Sequence, residues 1–145
     1  MVYLDSNFIV ALIVGEHAHH ARAIAIYRRV STERLRVCTS AHALLETTLN
    51  ASRRYSRSPA LVWKALRDWR SRDLAVAPIS LESYERTLGL SAALDLRTPL
   101  IYDLLHCVCA DAAGAGEVWT FDLKDYSRLQ AVTNATVVVP PAVPA

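Results

Sequence analysis

Five short apolar runs, at residues 2–4, 36–39, 74–77, 118–121 and 136–139, punctuate the chain, and longer stretches with helical periodicity separate them. That alternation is the strongest constraint on the fold. Strands interleaved with helices imply a parallel sheet covered on both faces, hence a three-layer α/β/α fold with a central parallel sheet of about five strands. Ser6 or Asn7 offers a cap for a first helix running toward Val14. Residues 17–30 carry Ala21, Ile24, Ala25 and Val30 on one side, and Ser40 precedes a helix over 41–54. Ser58-Pro59 opens a helix ending near Arg72, and residues 81–94 form another, after Pro78 halts the third strand. Thr98-Pro99 opens a helix over 100–113 that stops at Gly114-Ala-Gly116.

At 145 residues and 52% hydrophobic, the sequence fits a single domain over 1–145 with a short Pro-rich tail at 140–145. Its apolar runs are short and interrupted by charge, and an acid stands at position 5, which points to a cytoplasmic protein with no membrane partner. Cys38, Cys107 and Cys109 form no C-x-x-C pair and read as reduced core thiols. A net charge of +2 claims no nucleic acid by bulk composition. Residues 53–72 are different, because Arg53, Arg54, Arg57, Lys64, Arg67, Arg70 and Arg72 face the lone acid Asp68, with Tyr55, Trp63 and Trp69 interleaved. Such a stretch either grips unpaired RNA through arginine forks and aromatic faces or forms a solvated helix whose tryptophans meet the core or a partner chain.

Four separated carboxylates fall at significant places on this frame. Asp5 and Asp122 follow strands at their carboxyl ends, the edge where α/β proteins gather ligand groups. Glu46 sits within the third helix among leucines, and Asp103 lies in a helical first turn, where the dipole favours an anion. Asp5, Asp103 and Asp122 each have an ordinary explanation as a cap, loop or dipole-compensating residue, whereas Glu46 reads as a buried supporting acid, because an unpaired carboxylate beside apolar neighbours at helical spacing is costly. Brought together they would repel one another unless a hard divalent cation stood between them.

Asp5-Ser6-Asn7 after an apolar strand, Glu46 in the third helix, Tyr102-Asp103-Leu104-Leu105-His106 opening a helix, and Thr120-Phe121-Asp122-Leu123-Lys124-Asp125-Tyr126 after a strand together resemble the PIN-domain ribonucleases, and most nearly the VapC toxins of toxin-antitoxin pairs. The resemblance spans residues 3–139, with Ser6 standing where the family often has threonine. It implies a PIN-like fold and a Mg²⁺- or Mn²⁺-dependent endoribonuclease toxin. Asp5 and Asp103 would hold the ion directly, with Glu46 and Asp122 acting through water and Ser6 and Thr120 in support. It further implies a homodimer and a VapB-like antitoxin whose C-terminal segment occupies the acidic cleft.

Other groups carry less. His17, His19 and His20 lack the spacing of a zinc site and read as a solvated helix start, and His106 reads as a helix-face histidine making an ordinary hydrogen bond. Asp111 is roughly 12 Å beyond Asp103 by helical rise, too far for the same ion. Asp125 is a candidate cap for a short helix before Leu129. Two alternative functions stay open: a catalytically silent PIN-like RNA-binding or scaffold module, and a phosphotransfer enzyme with Asp5 as nucleophile, against which Asn7 occupies the place where the second aspartate belongs.

Overall fold

The computed structural model describes residues 1–141. Its strands are β1 (Val2–Leu4), β2 (Val37–Ser40), β3 (Leu74–Ala77), β4 (Glu117–Trp119) and β5 (Thr136–Val138). The helices are α1 (Ser6–Ile13), α2 (His20–Thr32), α3 (Ala41–Tyr55), α4 (Pro59–Arg70), α5 (Leu81–Ala93), α6 (Leu100–Ala112) and α7 (Leu123–Tyr126), followed by a 3₁₀ turn over Ser127–Val132. The five strands form one sheet in the order β3-β2-β1-β4-β5, with parallel pairing throughout. The expected three-layer architecture is therefore present.

Alternation across each strand feeds both layers. Val2, Leu4, Val37 and Trp119 pack on one side with Phe8 of α1, Ile26 of α2, Leu44 of α3 and Leu66 of α4. Tyr3, Cys38 and Val118 turn to the other side, against Leu104, Leu105 and Val108 of α6 and against Tyr126 and Leu129. All three cysteines are buried and unpaired, and burial raises each thiol, Cys38 and Cys109 to about 11.

Several local expectations shift by a residue or a cap. Asp5, not Ser6 or Asn7, caps α1 by accepting the Phe8 amide. The second helix starts at His20, because the His17 carbonyl accepts the His20 amide in a turn before it and His19 is the cap residue, its carbonyl accepting the Ala23 amide. Ser40 caps α3 as expected, whereas Ser58 and Thr98 make no side-chain cap, and Pro99 is itself the cap residue of α6. The fourth strand ends at Trp119, since the Thr120 hydroxyl turns to accept the Asp122 amide. Asp122, not Asp125, caps α7. Pro144 of the tail lies outside the described residues.

The strand order places the site. The chain runs outward from β1 through β2 to β3, then returns to the far side of β1 to start β4 and β5. The order therefore reverses between β1 and β4, and a crevice opens there at the carboxyl ends of the strands. Asp5 leaves β1 at that point, with its amide on the carbonyl oxygen of Trp119, the last residue of β4.

Candidate active site

A cavity of about 190 Å³ occupies the crevice, and Asp5, Glu46, Asp103 and Asp122 all line it. Four elements supply them: the end of β1, the middle of α3, the first turn of α6 and the segment after β4. Ser6 and Asn7 line it as well, while Thr120 lies fully buried beside it. Asp111 is held elsewhere by Arg86, Thr133 and the Asn134 amide, so it stays outside the cluster as helical spacing requires.

Each carboxylate is held differently. Asp5 is 2% exposed, and its Oδ1 accepts the Phe8 amide at 2.6 Å while the Thr120 hydroxyl also reaches it. Asp122 Oδ1 accepts the Asp125 amide at 3.4 Å, and its own amide donates to Thr120 Oγ1 at 2.9 Å. Thr120 thus serves both strand-end acids. Glu46 is half-buried rather than fully buried, because Leu45 and Leu49 beside it face solvent. Its Oε2 accepts His106 Nε2 at 2.8 Å, and the Ser6 hydroxyl also bonds it.

His106 belongs to the site. It is 1% exposed on the cavity side of α6 and meets the Tyr3 hydroxyl through Nδ1 at 2.9 Å. That hydroxyl donates to Ser40 Oγ at 2.9 Å, and Ser40 in turn caps α3 through the Ala43 amide. One chain of hydrogen bonds therefore ties Glu46 and α3 to α6, β1 and the start of α3. The sequence held a signal for it: a lone polar side chain inside the run Leu104-Leu105-His106-Cys107-Val108, three residues after Asp103, cannot be left unsatisfied in a core.

The electrostatics follow from crowding. Burial pushes the Asp5 carboxyl up to about 6, against the opposing pull of the Phe8 amide, His106 and Thr120, while the Glu46 charge adds to the rise. Burial likewise pushes Asp103 up to about 7, with Asp5, Asp122 and Glu46 adding repulsion and His106 relieving part of it. For Glu46 burial is outweighed by the bond and charge of His106, with Ser6 helping, and its pKa falls below the usual value. Among the described residues no group of three or more His, Cys, Asp or Glu side chains stands in metal-ligating geometry. Uncompensated carboxylates repel, and here two of them have turned an oxygen to a backbone amide and a third to an imidazole.

The PIN-domain family model matches residues 2–132. The chain belongs to the PIN-domain family. No curated protein sequence matches it. Among solved structures, it is similar to Mycobacterium tuberculosis VapC20, a sarcin-ricin loop cleaving toxin, at 22% identity and a TM-score of 0.71, over 88% of this chain and 95% of the other. A toxin-antitoxin complex from Klebsiella pneumoniae matches at 18% identity and 0.63, over 99% and 100%. VapBC2 of Rickettsia felis, bound to a DNA fragment from its promoter, matches at 20% and 0.65, over 95% and 98%. At these identities the likeness is one of fold.

The basic aromatic segment of this PIN domain divides in two. Trp69 turns inward, its Nε1 donating to the Tyr27 hydroxyl at 3.0 Å. Trp63 lines an apolar groove between α3 and α4 with Leu44, Leu45 and Val76. Only Arg54 and Tyr55 reach the acidic cavity. The three histidines do not converge on an ion: His20 Nδ1 meets the Ala11 carbonyl, His19 stacks on Phe121, and His17 lines the cavity. One further cavity residue, Asn50, went unread in the sequence, and Arg54 was read only as part of the basic stretch. Asn50 and Arg54 stand one and two turns after Glu46 on the same face of α3, a spacing that could have flagged them. Asn7 was weighed as a cap and as part of the Asp5-Ser6-Asn7 motif, not as a cavity group.

Proposed function

We propose that this PIN domain is a divalent-cation-dependent endoribonuclease, the toxin of a toxin-antitoxin pair, that hydrolyses RNA phosphodiesters. The observation that carries the reading is the gathering of four acids from four elements onto one cavity at the sheet's switch point. The donor set fits Mg²⁺ or Mn²⁺: every candidate ligand is an oxygen, and Asn7 Oδ1 is buried at the cavity without a hydrogen-bond partner. Asp5 and Asp103 would hold the ion directly. Glu46 and Asp122 would act through water. When bound, such an ion polarises the phosphodiester and makes water acidic enough to attack near neutral pH. The protein's own task is then to fix the carboxylates, and Thr120, Ser6 and His106 do so by holding Asp5, Asp122 and Glu46 in place.

Two partners accompany this reading. An anionic cavity favours a basic side chain from an antitoxin tail. The apolar groove flanks the same helix, since Leu45 and Glu46 are neighbours in α3, so a segment filling the groove has a short path to the acids. A homodimer would use α5, where Leu81, Tyr84 and Leu88 are exposed along one stripe; Trp69 is committed to Tyr27 and unavailable.

Cleavage of total RNA by the purified chain, with Mg²⁺ or with EDTA, tests the reading. Activity should vanish in EDTA and fall at least about a hundredfold in Asp5→Asn and Asp103→Asn, the scale on which losing an electrostatic catalytic group is felt. Cleavage that survives EDTA, or both substitutions, refutes it.

A further inference from the structure

The acidic cavity has a second wall of different chemistry. Beside the carboxylates it is also lined by Asn50, Arg54, Tyr55 and His17. Glu46, Asn50 and Arg54 repeat every four residues along α3, so an amide stands about 6 Å and a guanidinium about 12 Å along the helix axis from the acid. Arg54 carries the wall's full positive charge and makes no ion pair among the described residues, whereas Arg57 is paired with Glu16 and Lys64 with Asp68. The aromatic groups form a continuous row. Phe121 stacks on His19 with centroids 4.6 Å apart, His19 meets His17 at 5.6 Å, and His17 meets Tyr55 at 5.7 Å. Phe8 extends the row behind Phe121 at 5.1 Å.

Resting on the nuclease reading, we infer that this wall is a subsite for one unpaired nucleotide next to the cut phosphodiester, its base stacked on His17 and Tyr55 and its phosphate held by Arg54. The chemistry is complementary at each point. A phosphate is repelled by the four acids and drawn to the guanidinium at the far end of the α3 face, which also offers it paired N–H donors. An imidazole and a phenol at the rim give any base a π-face, and the Asn50 amide offers both a donor and an acceptor to a base edge. A duplex keeps its bases stacked on one another, so the row selects single-stranded or looped RNA. The other basic residues of the stretch, of which Lys64, Arg67 and Arg70 are on α4, do not line this wall.

The probe is a short fluorescein-labelled oligoadenylate, its binding to the full chain followed by anisotropy in Ca²⁺. Mn²⁺ uptake is measured separately by calorimetry. His17→Ala and Tyr55→Ala should each weaken oligonucleotide binding about five- to a hundredfold, the value of one stacked base. His17→Phe should restore it, and Arg54→Ala should lower the salt slope by about one. Mn²⁺ uptake should match the parent in all four. Oligonucleotide binding that is undiminished in His17→Ala and Tyr55→Ala, or absent in the parent, overturns the subsite. Tyr55 packs partly on the core, so if its variant fails to fold, His17→Ala in the loop and Arg54→Ala decide. A parent that takes up no Mn²⁺ breaks the nuclease reading itself, a separate result from loss of the subsite.

Discussion

Removing one charge from the acidic cavity should stabilise the metal-free protein. Asp103 is held near 7 and Asp5 near 6, both above the ordinary 3.8. Between those values the folded state binds more protons than the unfolded one, so stability falls as pH rises through the window and levels off beyond about pH 7. At about 1.4 kcal/mol per unit, ionising both groups between pH 5 and pH 8 costs up to roughly 4 kcal/mol, roughly 3 of it at Asp103. The two carboxylates share part of their repulsion, and the first-turn dipole of α6 returns about 0.5 kcal/mol to the Asp103 anion, so roughly 2–3 kcal/mol is the expected loss. Asp103→Asn should recover most of it at pH 8, raising Tm by roughly 5–10 °C.

The assay is thermal unfolding of parent and Asp103→Asn in EDTA at pH 5 and pH 8. His17 and His42, both held below the usual imidazole value by burial first and by neighbouring positive charge second, act in the opposite sense across this window. They are common to both proteins, so the difference between parent and variant isolates the carboxylate. Saturating Mg²⁺ should close the gap from the other side, adding about 1.4 kcal/mol to the parent for a tenfold excess over Kd and little to the variant. An Asp103→Asn protein that melts below the parent at pH 8, or a parent equally stable at both pH values in EDTA, would refute the account of an uncompensated anionic cavity.

Two further outcomes follow from the same geometry. His106→Leu removes the imidazole from between the Glu46 carboxylate and the Tyr3 hydroxyl, and should cost roughly 2–4 kcal/mol; combined with Glu46→Gln in a double-mutant cycle, it should show a coupling of roughly 1–3 kcal/mol, and strictly additive losses would rule out the link. In sedimentation, Leu88→Glu on the exposed α5 stripe should convert a dimer to monomer while Trp63→Ala leaves it intact, and the reverse result would return the interface to α4.

The fold was readable because its signals are local and repeated. The strand segments are apolar and bounded by turn residues, and Leu74–Ala77 and Val2–Leu4 fall where the pattern placed them. Boundaries slipped where a side chain took over a backbone role. Thr120 turned to the Asp122 amide and ended β4 early, and His17 spent its carbonyl on a turn that delayed α2. The four acids were legible as a constellation. Their support was not, because the partners of Glu46 come from residues 60 and 40 positions away in sequence, and pairing across such distances leaves no periodicity to read. Residues 53–72 illustrate the converse: as a charge run they look like one unit, yet Arg54 faces the cavity from the end of α3 while Trp69, beyond the turn after Tyr55, packs inward from α4.

The ordinary and the chemical readings of the strand-end acids also prove compatible. A carboxylate has two oxygens, and an N-cap uses one. Asp5 Oδ1 is taken by the Phe8 amide and Asp122 Oδ1 by the Asp125 amide, leaving Oδ2 of each free of that duty. Capping fixes the direction of the carboxylate at the end of its strand, and a ligand needs that direction fixed. The cap also supplies a backbone N–H that favours the ionised form, which is why the Phe8 amide is the largest force opposing the rise of Asp5. Asp103 lies in the first turn of α6, accepts no backbone amide among the described residues, and is pushed further, to about 7. The acid without a cap is therefore the one whose charge most needs a cation, and replacing it should relieve the cavity more than replacing Asp5, where Asn would still have to hold the head of α1.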